Sequence, residues 1–178
     1  MLLGAAVFLP IRFFTLTIIG AATCLVIGCA QQTTIQPQSA GVRNARHIKV
    51  RTTAYTKTES GGRRNALGKN LSGSKVLSAA SDWSRFPLGT RFKITGTNVE
   101  YVIDDYGTAL IGTNTIDLYK PTRLEMSRWG VRHVDIDIVE WGSEAESLKV
   151  LGPRAKHRYV RQMITALQKK KGETIAER

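Results

Sequence analysis

Two carboxylates near the middle of the chain, Asp105 and Asp117, have the type and spacing that could perform acid/base chemistry. The apolar run before Asp105 predicts a strand that delivers this side chain at its end, and residues 116–119 predict a second strand that carries Asp117. Gly107 follows the first strand and allows the chain to turn, since glycine adopts positive φ at little cost. A loop that returns one carboxylate beside another can form a general acid/base site. The alternative is a polar turn that carries two solvated aspartates.

A domain of short strands, which we expect to span residues 47–142, must position these carboxylates. The strands are recognised by alternating or β-branched apolar residues, and one helix begins near Pro121 and ends before Gly130. Many short strands within one small segment favour a mainly β fold, here a closed six-stranded barrel with one short helix. The predicted strands are 48–56, 75–80, 91–95, 99–103, 116–119 and 133–139, and the predicted helix is 121–129.

The longest connection in this domain, residues 59–74, is rich in glycine, asparagine and arginine. Connections of this length without secondary structure are uncommon in compact domains, and they are often functional. We therefore expect this loop to contribute to a site. The alternative is a variable surface excursion.

The first 46 residues show no pattern of a folded domain. Residues 13–28 are apolar, follow Arg12 and have about the length of a signal-peptide core, so residues 1–28 are predicted to be a signal peptide. The sequence V-I-G-C resembles the lipobox of bacterial lipoproteins, which implies cleavage before Cys29 and a lipid on its sulfur. Residues 29–46 are polar and predict a flexible tether. The alternative is an uncleaved anchor helix with an incidental cysteine.

Ligands for cofactors and metals are sparse in the sequence. Both cysteines, Cys24 and Cys29, lie in the N-terminal segment, so the predicted exported domain has no disulfide framework and no cysteine metal site. The three histidines are scattered, and no phosphate-binding loop is present. We therefore expect a protein that works without a cofactor or metal.

Positive charge is spread along the chain rather than concentrated on the predicted barrel. The formal net charge is +12, and residues 48–141 hold 14 basic and 10 acidic side chains. This balance favours anionic partners, of which export excludes nucleic acid. In residues 143–178, apolar side chains recur at helical spacing among lysines and arginines, which predicts a basic amphipathic helix. We expect this helix to pack on the barrel, and the alternative is contact with anionic lipid or wall polymer.

Four motifs in residues 48–141 occur in a defined order. The first strand ends in T-A-Y-T, an alanine-rich strand leads to Asp82 and P-L-G-T, and a core motif runs from Asp105 to Gly112 before I-D-L-Y. A short helix then ends in W-G-V-R and is followed by an alternating strand. This order resembles the three-aspartate (3D) domain family of bacterial cell-wall proteins. The family fold is a double-psi β-barrel, which also forms the catalytic barrel of a lytic murein transglycosylase.

The resemblance implies an activity directed at peptidoglycan and assigns roles by position. Asp117 matches the general acid/base, Asp105 matches its partner in the cleft, and Asp82 completes the triplet that names the domain, so all three are expected to be catalytic. Such enzymes cleave the β-1,4 bond from N-acetylmuramic acid to N-acetylglucosamine, and the muramoyl C6 hydroxyl replaces water to leave a 1,6-anhydro end. The residues expected to contact the glycan are Tyr55, Trp83, Gly107 and Thr108. For Trp83 the alternative is packing in the core.

An aspartate that donates a proton near neutral pH needs a pKa above its usual value of about 3.9. Two features are expected to raise the pKa of Asp117, namely its apolar neighbours Ile116 and Leu118 and the negative charge of Asp105. A glycan-cleaving enzyme and a non-catalytic glycan-binding barrel are expected to differ in whether Asp105 and Asp117 approach within about 4–6 Å in a solvent-open cleft, where like charges couple.

The core motif departs from the family pattern at two positions, since Tyr106 and Thr108 stand where a threonine and a second glycine are usual. These changes are expected to reshape the rim of the cleft and to leave the carboxylates in place. The transglycosylase also has a second domain that forms the other wall of its groove, and we expect a lone barrel here. Two alternatives to an enzyme therefore stand: a peptidoglycan-binding barrel without activity, and a structural lipoprotein.

Overall fold

The computed structural model of the protein describes residues 47–59 and 61–176. The predicted signal peptide of residues 1–28, the lipidated Cys29 and the tether of residues 29–46 all lie outside the described residues. Within the described part of the chain, no helix has the length and apolar character needed to cross a membrane.

Six strands close into a mixed β-barrel, which confirms the predicted mainly β fold. The strands are β1 (His47–Tyr55), β2 (Val76–Ala80), β3 (Arg91–Ile94), β4 (Glu100–Asp105), β5 (Thr115–Tyr119) and β6 (Arg132–Glu140). Their order around the barrel is β1-β5-β2-β4-β3-β6. The pairs β1/β5 and β2/β4 are parallel, and the other pairs are antiparallel. This arrangement is consistent with the expected double-psi barrel.

The barrel interior is filled by side chains that alternate along each strand. Successive residues of a strand point to opposite faces, so one set faces inward and the other faces outward. In β5, Ile116 and Leu118 are fully buried in the interior, and Asp117 between them therefore points outward. The rings of Phe92 and Tyr101 stack with their centroids 5.4 Å apart. Each large apolar side chain buried in this way contributes about 1.5–3 kcal/mol to folding.

Among the residues that the structure describes, three α-helices accompany the barrel, one more than the sequence pattern predicted. They are α1 (Arg123–Trp129), α2 (Glu144–Leu151) and α3 (Arg158–Ala176). The first helix begins after a capping box formed by Thr122 and Glu125, slightly later than the expected start at Pro121. It ends at Gly130, whose φ of 62° favours glycine. The predicted basic helix corresponds to α3, whereas α2 was missed.

Residues 143–176, here called the helical appendage, pack on the turn between β2 and β3. The Leu88 N–H donates to Ser147 Oγ at 2.9 Å, and the Leu88 carbonyl accepts from the Ser143 N–H at 2.9 Å. Gly142 passes so close to the backbone of this turn that no side chain would fit. The fully buried apolar residues of the appendage are Leu151, Val160, Met163 and Leu167. The prediction that the C-terminal helix packs on the barrel is confirmed.

Candidate active site

Asp105 and Asp117 lie in one row of residues that crosses four strands. Asp117 of β5 pairs with Thr53 of β1 on one side and with Ala80 of β2 on the other. Ala80 in turn pairs with Asp105 of β4. Because neighbouring strands are about 4.8 Å apart, the Cα atoms of the two aspartates are about 10 Å apart. The row faces away from the barrel interior and forms the floor of the candidate site.

Asp117 is held by a short hydrogen bond from the neighbouring strand. Thr53 Oγ1 donates to Asp117 Oδ1 at 2.6 Å. Burial raises the pKa of Asp117, the Thr53 bond lowers it, the negative charge of Glu59 raises it, and the positive charge of Arg51 lowers it. The net result is a pKa above the usual range, as proton donation requires.

Two expected causes of this raised pKa were wrong. Ile116 and Leu118 lie on the opposite face of β5 and do not cover the Asp117 carboxyl. The acidic neighbour that raises the pKa of Asp117 is Glu59 rather than Asp105. The neighbours of Asp117 in the sequence therefore do not identify the groups that surround its carboxyl in the fold.

Asp105, at the end of β4, carries the larger pKa shift of the two. Burial raises the pKa of Asp105 to about 6, and the charge of Asp104 adds to this increase. The Tyr106 N–H donates to Asp105 Oδ1 at 2.9 Å and lowers the pKa, as do the Ala66 N–H and the Arg154 guanidinium. Asp105 therefore gains or loses its proton under mild conditions.

A β-bulge places a third carboxylate, Asp104, in the same region. Ala79 of β2 pairs with Ile103, whereas Ala80 pairs with Asp105, so Asp104 is the extra residue of β4. Strict alternation would have directed one residue of the Asp104–Asp105 doublet toward the barrel interior. The Asp104–Asp105 doublet is visible in the sequence. Only the bulge explains why both carboxyl groups lie on the outward face of β4.

The side chain of Asp104 is bound on one oxygen and unpaired on the other. Its Oδ2 accepts from Asn65 Nδ2 at 2.8 Å and from Ser78 Oγ at 2.7 Å. Its Oδ1 is buried without a hydrogen-bond partner among the described residues. Burial raises the pKa of Asp104, and the two hydrogen bonds lower it.

Residues 61–75, here called the active-site loop, fold over Asp104 and Asp105 and correspond to the predicted functional loop. Asn65 organises the loop, because its Oδ1 accepts from the N–H groups of Leu67 and Lys69, both at 3.0 Å, while its Nδ2 binds Asp104. The next residue, Ala66, donates its N–H to Asp105. The loop is therefore tied directly to the acidic residues of β4.

Tyr55, at the end of β1, lies within the electrostatic reach of all three carboxylates. Its ring contacts Tyr119 at 5.6 Å between centroids. Its hydroxyl is buried and has no hydrogen-bond partner within the described part of the chain. Burial raises the pKa of Tyr55, and the charges of Asp105, Asp104 and Asp117 raise it further. The phenol therefore stays protonated, and its hydroxyl is a buried donor without an acceptor among the described residues.

Asp82 does not face the site. It is 2% exposed, its Oδ1 accepts from the Ser84 N–H at 2.8 Å, and its Oδ2 accepts from the Gly112 N–H at 2.7 Å. These bonds join the turn after β2 to the loop between β4 and β5. The expected catalytic role of Asp82 is therefore corrected to one of positioning the backbone.

Trp83 supports the site from the interior. Its side chain is 0% exposed, its Nε1 donates to the Asp105 carbonyl oxygen at 2.8 Å, and its ring meets that of Tyr106 edge to face at 5.0 Å. The prediction that Trp83 stacks on a sugar is wrong, because neither face of the indole reaches solvent. The alternative of core packing is confirmed.

Gly107 and Thr108 lie at the rim of the site, directly after Tyr106. The chain turns here through the 3₁₀ turn Thr108–Leu110. The φ of Gly107 is −130°, so the expectation that this glycine supplies a positive φ is wrong. That conformation occurs instead at Gly112, whose φ is 78°. Contact of Gly107 and Thr108 with substrate stays a prediction.

The carboxylates do not gather around a common centre. Across residues 47–59 and 61–176, no group of three or more His, Cys, Asp or Glu side chains is placed to hold a metal ion. Asp104 binds Asn65 and Ser78, and Asp117 binds Thr53, so each carboxylate has its own set of donors. What this arrangement offers a ligand is a set of proton donors and acceptors on the outer wall of the barrel.

A family model described as the 3D domain matches residues 77–140. The match begins in β2, ends in β6 and contains Asp82, Asp105 and Asp117. No curated protein matches the chain. Strand β1, the active-site loop and the helical appendage lie outside the matched residues. Residues 77–140 of this protein therefore match the 3D domain, and they lie within a closed six-stranded mixed barrel that is consistent with a double-psi barrel.

Proposed function

We propose that this protein is a lytic transglycosylase that cleaves the β-1,4 bond between N-acetylmuramic acid and N-acetylglucosamine in peptidoglycan. The 3D domain family is associated with lytic transglycosylase-like, peptidoglycan-related proteins. The proposal depends above all on the outward row that contains Asp117, Ala80 and Asp105, since both carboxyls in it have raised pKa values. A carboxyl that stays protonated above its usual range is suited to donate a proton to a glycosidic oxygen.

One carboxyl group is sufficient for this reaction, and we assign it to Asp117. Protonated Asp117 donates its proton to O4 of the leaving N-acetylglucosamine as the bond from O4 to the muramoyl C1 breaks. The muramoyl O6 attacks this C1, and the Asp117 carboxylate accepts the O6 proton. No water is consumed, the product carries a 1,6-anhydro ring, and Asp117 is protonated again at the end of the cycle.

Asp105 and Tyr55 are assigned to hold the substrate. With a pKa of about 6, Asp105 is mostly ionised at neutral pH and can accept a hydrogen bond from a sugar hydroxyl. The Tyr55 hydroxyl is protonated and can donate to a sugar oxygen. An acceptor and a donor at fixed positions would orient a sugar ring across the row, which lowers the entropic cost of reaching the transition state.

Export and lipid anchoring would bring the barrel to this substrate. In the proposal, a lipid on Cys29 fixes the chain to the cell envelope, on the periplasmic or outer-membrane face, and residues 29–46 give the barrel reach to the glycan strands. A second contact with anionic lipid or wall polymer is proposed for α3. Its exposed face includes Arg158, Arg161 and Lys169.

The test is a digest of purified murein sacculi with the chain from residue 30 onward, followed by mass spectrometry of the released fragments. Wild-type protein should release fragments that end in 1,6-anhydromuramic acid. Asp117→Asn should lower the rate by at least about a hundredfold, because general acid catalysis typically contributes that much or more. The control is Asp135→Asn, which removes a carboxylate from the surface of β6, far from the row in sequence and sheet position.

Other products would contradict the proposal in different ways. Fragments with reducing ends would show a hydrolase that activates water, which requires a second carboxylate. Protein that sediments with sacculi but releases no fragment would support the alternative of a peptidoglycan-binding barrel without activity. A wild-type rate in Asp117→Asn would remove Asp117 from the acid/base role.

A further inference from the structure

Arg154 joins the helical appendage to the active-site loop. It lies in the 3₁₀ turn Gly152–Arg154 between α2 and α3. Its guanidinium donates to the Ala66 carbonyl oxygen at 2.6 Å and to the Tyr106 hydroxyl at 3.2 Å. The guanidinium also lies 5.9 Å from the centre of the Tyr106 ring. One side chain therefore contacts both the loop that covers Asp105 and the residue that follows Asp105.

Ala66 connects Arg154 with the carboxylate of the site. The N–H of Ala66 donates to Asp105, and its carbonyl oxygen accepts from Arg154. The positive charge of Arg154 also acts directly on Asp105. A movement of Arg154 would therefore change both the position of the loop and the charge environment of Asp105.

Tyr106 is the second point of attachment. Its ring meets Trp83 at 5.0 Å and Tyr159 of the appendage at 6.2 Å between centroids. Tyr106 therefore links the residues that match the 3D domain with a segment outside them.

The appendage is a firm support for Arg154. Leu151, just before the turn, and Val160, in the first turns of α3, are fully buried. The planar guanidinium loses less conformational freedom per hydrogen bond than a lysine would, so two bonds from one arginine are an efficient anchor. The backbone of Arg154 is thus fixed on both sides of the turn.

We propose that Arg154 is a positioning residue of the site, through which the helical appendage holds the active-site loop over Asp105 and provides a wall that a lone barrel lacks. The identity of the substrate behind this wall rests on the proposed function. The anchoring of the loop does not, because it can be measured without any cleavage.

The experiment is residue-resolved amide hydrogen exchange, by NMR, on wild type and on Arg154→Gln. Exchange at the Ala66 amide should become about tenfold faster or more, since a charge-assisted hydrogen bond to the loop is lost. Arg154→Lys, which keeps the charge and one donor, should restore part of the protection. Arg158→Gln is the matched control, since it removes the same charge from an exposed position of the same appendage and should leave Ala66 unchanged.

Amides of the barrel core, such as those of Ile103 and Ile116, report whether the variant is folded. If the core amides lose protection in Arg154→Gln, that variant is not folded normally, and Tyr106→Phe is tested in its place. This variant removes only the hydroxyl that accepts from Arg154. Faster exchange at Ala66 with an intact core supports the proposal. Unchanged exchange at Ala66 in a folded variant overturns it.

The digest of sacculi separates this inference from the proposed function. If wild type releases no anhydro product but Ala66 exchange responds to Arg154, the anchor stands and the proposed function falls. If wild type cleaves and Ala66 exchange does not respond, the anchor falls alone. If wild type cleaves and Ala66 exchange responds to Arg154, then Arg154→Gln should also shift the pH profile of cleavage. A substitution at a purely structural residue far from Asp105 would leave this profile unchanged.

Discussion

Asp105 and Asp117 pair with the same residue, Ala80, from opposite sides, so that a single methyl group separates two carboxylates on the outer wall of the barrel. With their Cα atoms about 10 Å apart, each carboxyl is governed by its own neighbours. Glu59 raises the pKa of Asp117, whereas Asp104 raises that of Asp105. Asp105 and Asp117 are therefore not the closely coupled pair expected of an enzyme, and in the proposed function Asp117 alone performs the acid/base step.

The charges around Asp117 should set the alkaline limit of cleavage. The acid must be protonated to donate, so the rate should fall as the pH rises through the pKa of Asp117. Glu59→Gln removes a charge that raises this pKa and should move the limit to lower pH. Arg51→Gln removes a charge that lowers this pKa and should move the limit to higher pH. Rates of sacculus digestion measured against pH at low ionic strength would show both shifts.

Opposite shifts from two exposed side chains are the diagnostic feature of this prediction. A variant that merely disturbed the fold would lower the rate at every pH. The control Lys156→Gln changes the net charge of the protein by the same amount as Arg51→Gln, at an exposed position between α2 and α3. Identical limits in wild type, Glu59→Gln and Arg51→Gln would show that Asp117 is not the group that titrates.

Asp105 should make the stability of the fold depend on pH. Its folded-state pKa of about 6 lies above the unfolded value of about 3.9, so the fold binds this proton more tightly than the unfolded chain does. The charged carboxyl therefore destabilises the fold, with no effect below about pH 4 and the full effect above about pH 6. Relative to wild type, the free energy of unfolding of Asp105→Asn should rise by about 2 kcal/mol from pH 4 to pH 8.

Urea unfolding of both proteins at pH 4 and pH 8 gives this difference directly. The comparison between the two pH values cancels any constant effect of the amide on packing or on the Ala66 hydrogen bond. A difference that does not change with pH would mean that Asp105 titrates equally in the folded and unfolded chains.

Asp82 should prove important for stability rather than for chemistry. Asp82→Ala leaves the N–H groups of Ser84 and Gly112 without their acceptor, and a loss of about 2–4 kcal/mol in the free energy of unfolding is expected. Asp82→Asn retains one carbonyl oxygen and should lose less. Cleavage per folded molecule should remain near the wild-type rate in both variants. A folded Asp82→Asn without activity would restore Asp82 to the catalytic group.

The strands of the barrel were predictable because apolar side chains that face inward alternate with polar side chains that face outward, as in β5, and this alternation is visible in the sequence. Ser143 and Glu146 offered an N-cap signal for α2, since Ser143 Oγ accepts from the Glu146 N–H. The outward position of Asp105, directly after the outward Asp104, was not predictable, because the bulge depends on the register between β2 and β4.

Burial and long-range contacts were the other features beyond the reach of local patterns. A tryptophan beside an aspartate fits a sugar platform as well as a core residue, and only the packed structure shows that Trp83 is enclosed. The bond between Arg154 and Ala66 joins residues 88 positions apart. No spacing rule connects positions so distant, whereas the fold of the appendage brings them together.

Tyr55 should show opposite effects on stability and on activity. Its hydroxyl is buried without a partner among the described residues, so Tyr55→Phe removes an unsatisfied polar group and should raise the free energy of unfolding by about 1 kcal/mol. Cleavage should fall by about tenfold, the value of one hydrogen bond to the substrate. Tyr101→Phe is the contrasting variant, because the Tyr101 hydroxyl accepts from Lys120 Nζ at 2.9 Å and its loss should lower stability. If Tyr55→Phe lost stability and kept full activity, the Tyr55 hydroxyl would be bound within the protein rather than held ready for a glycan.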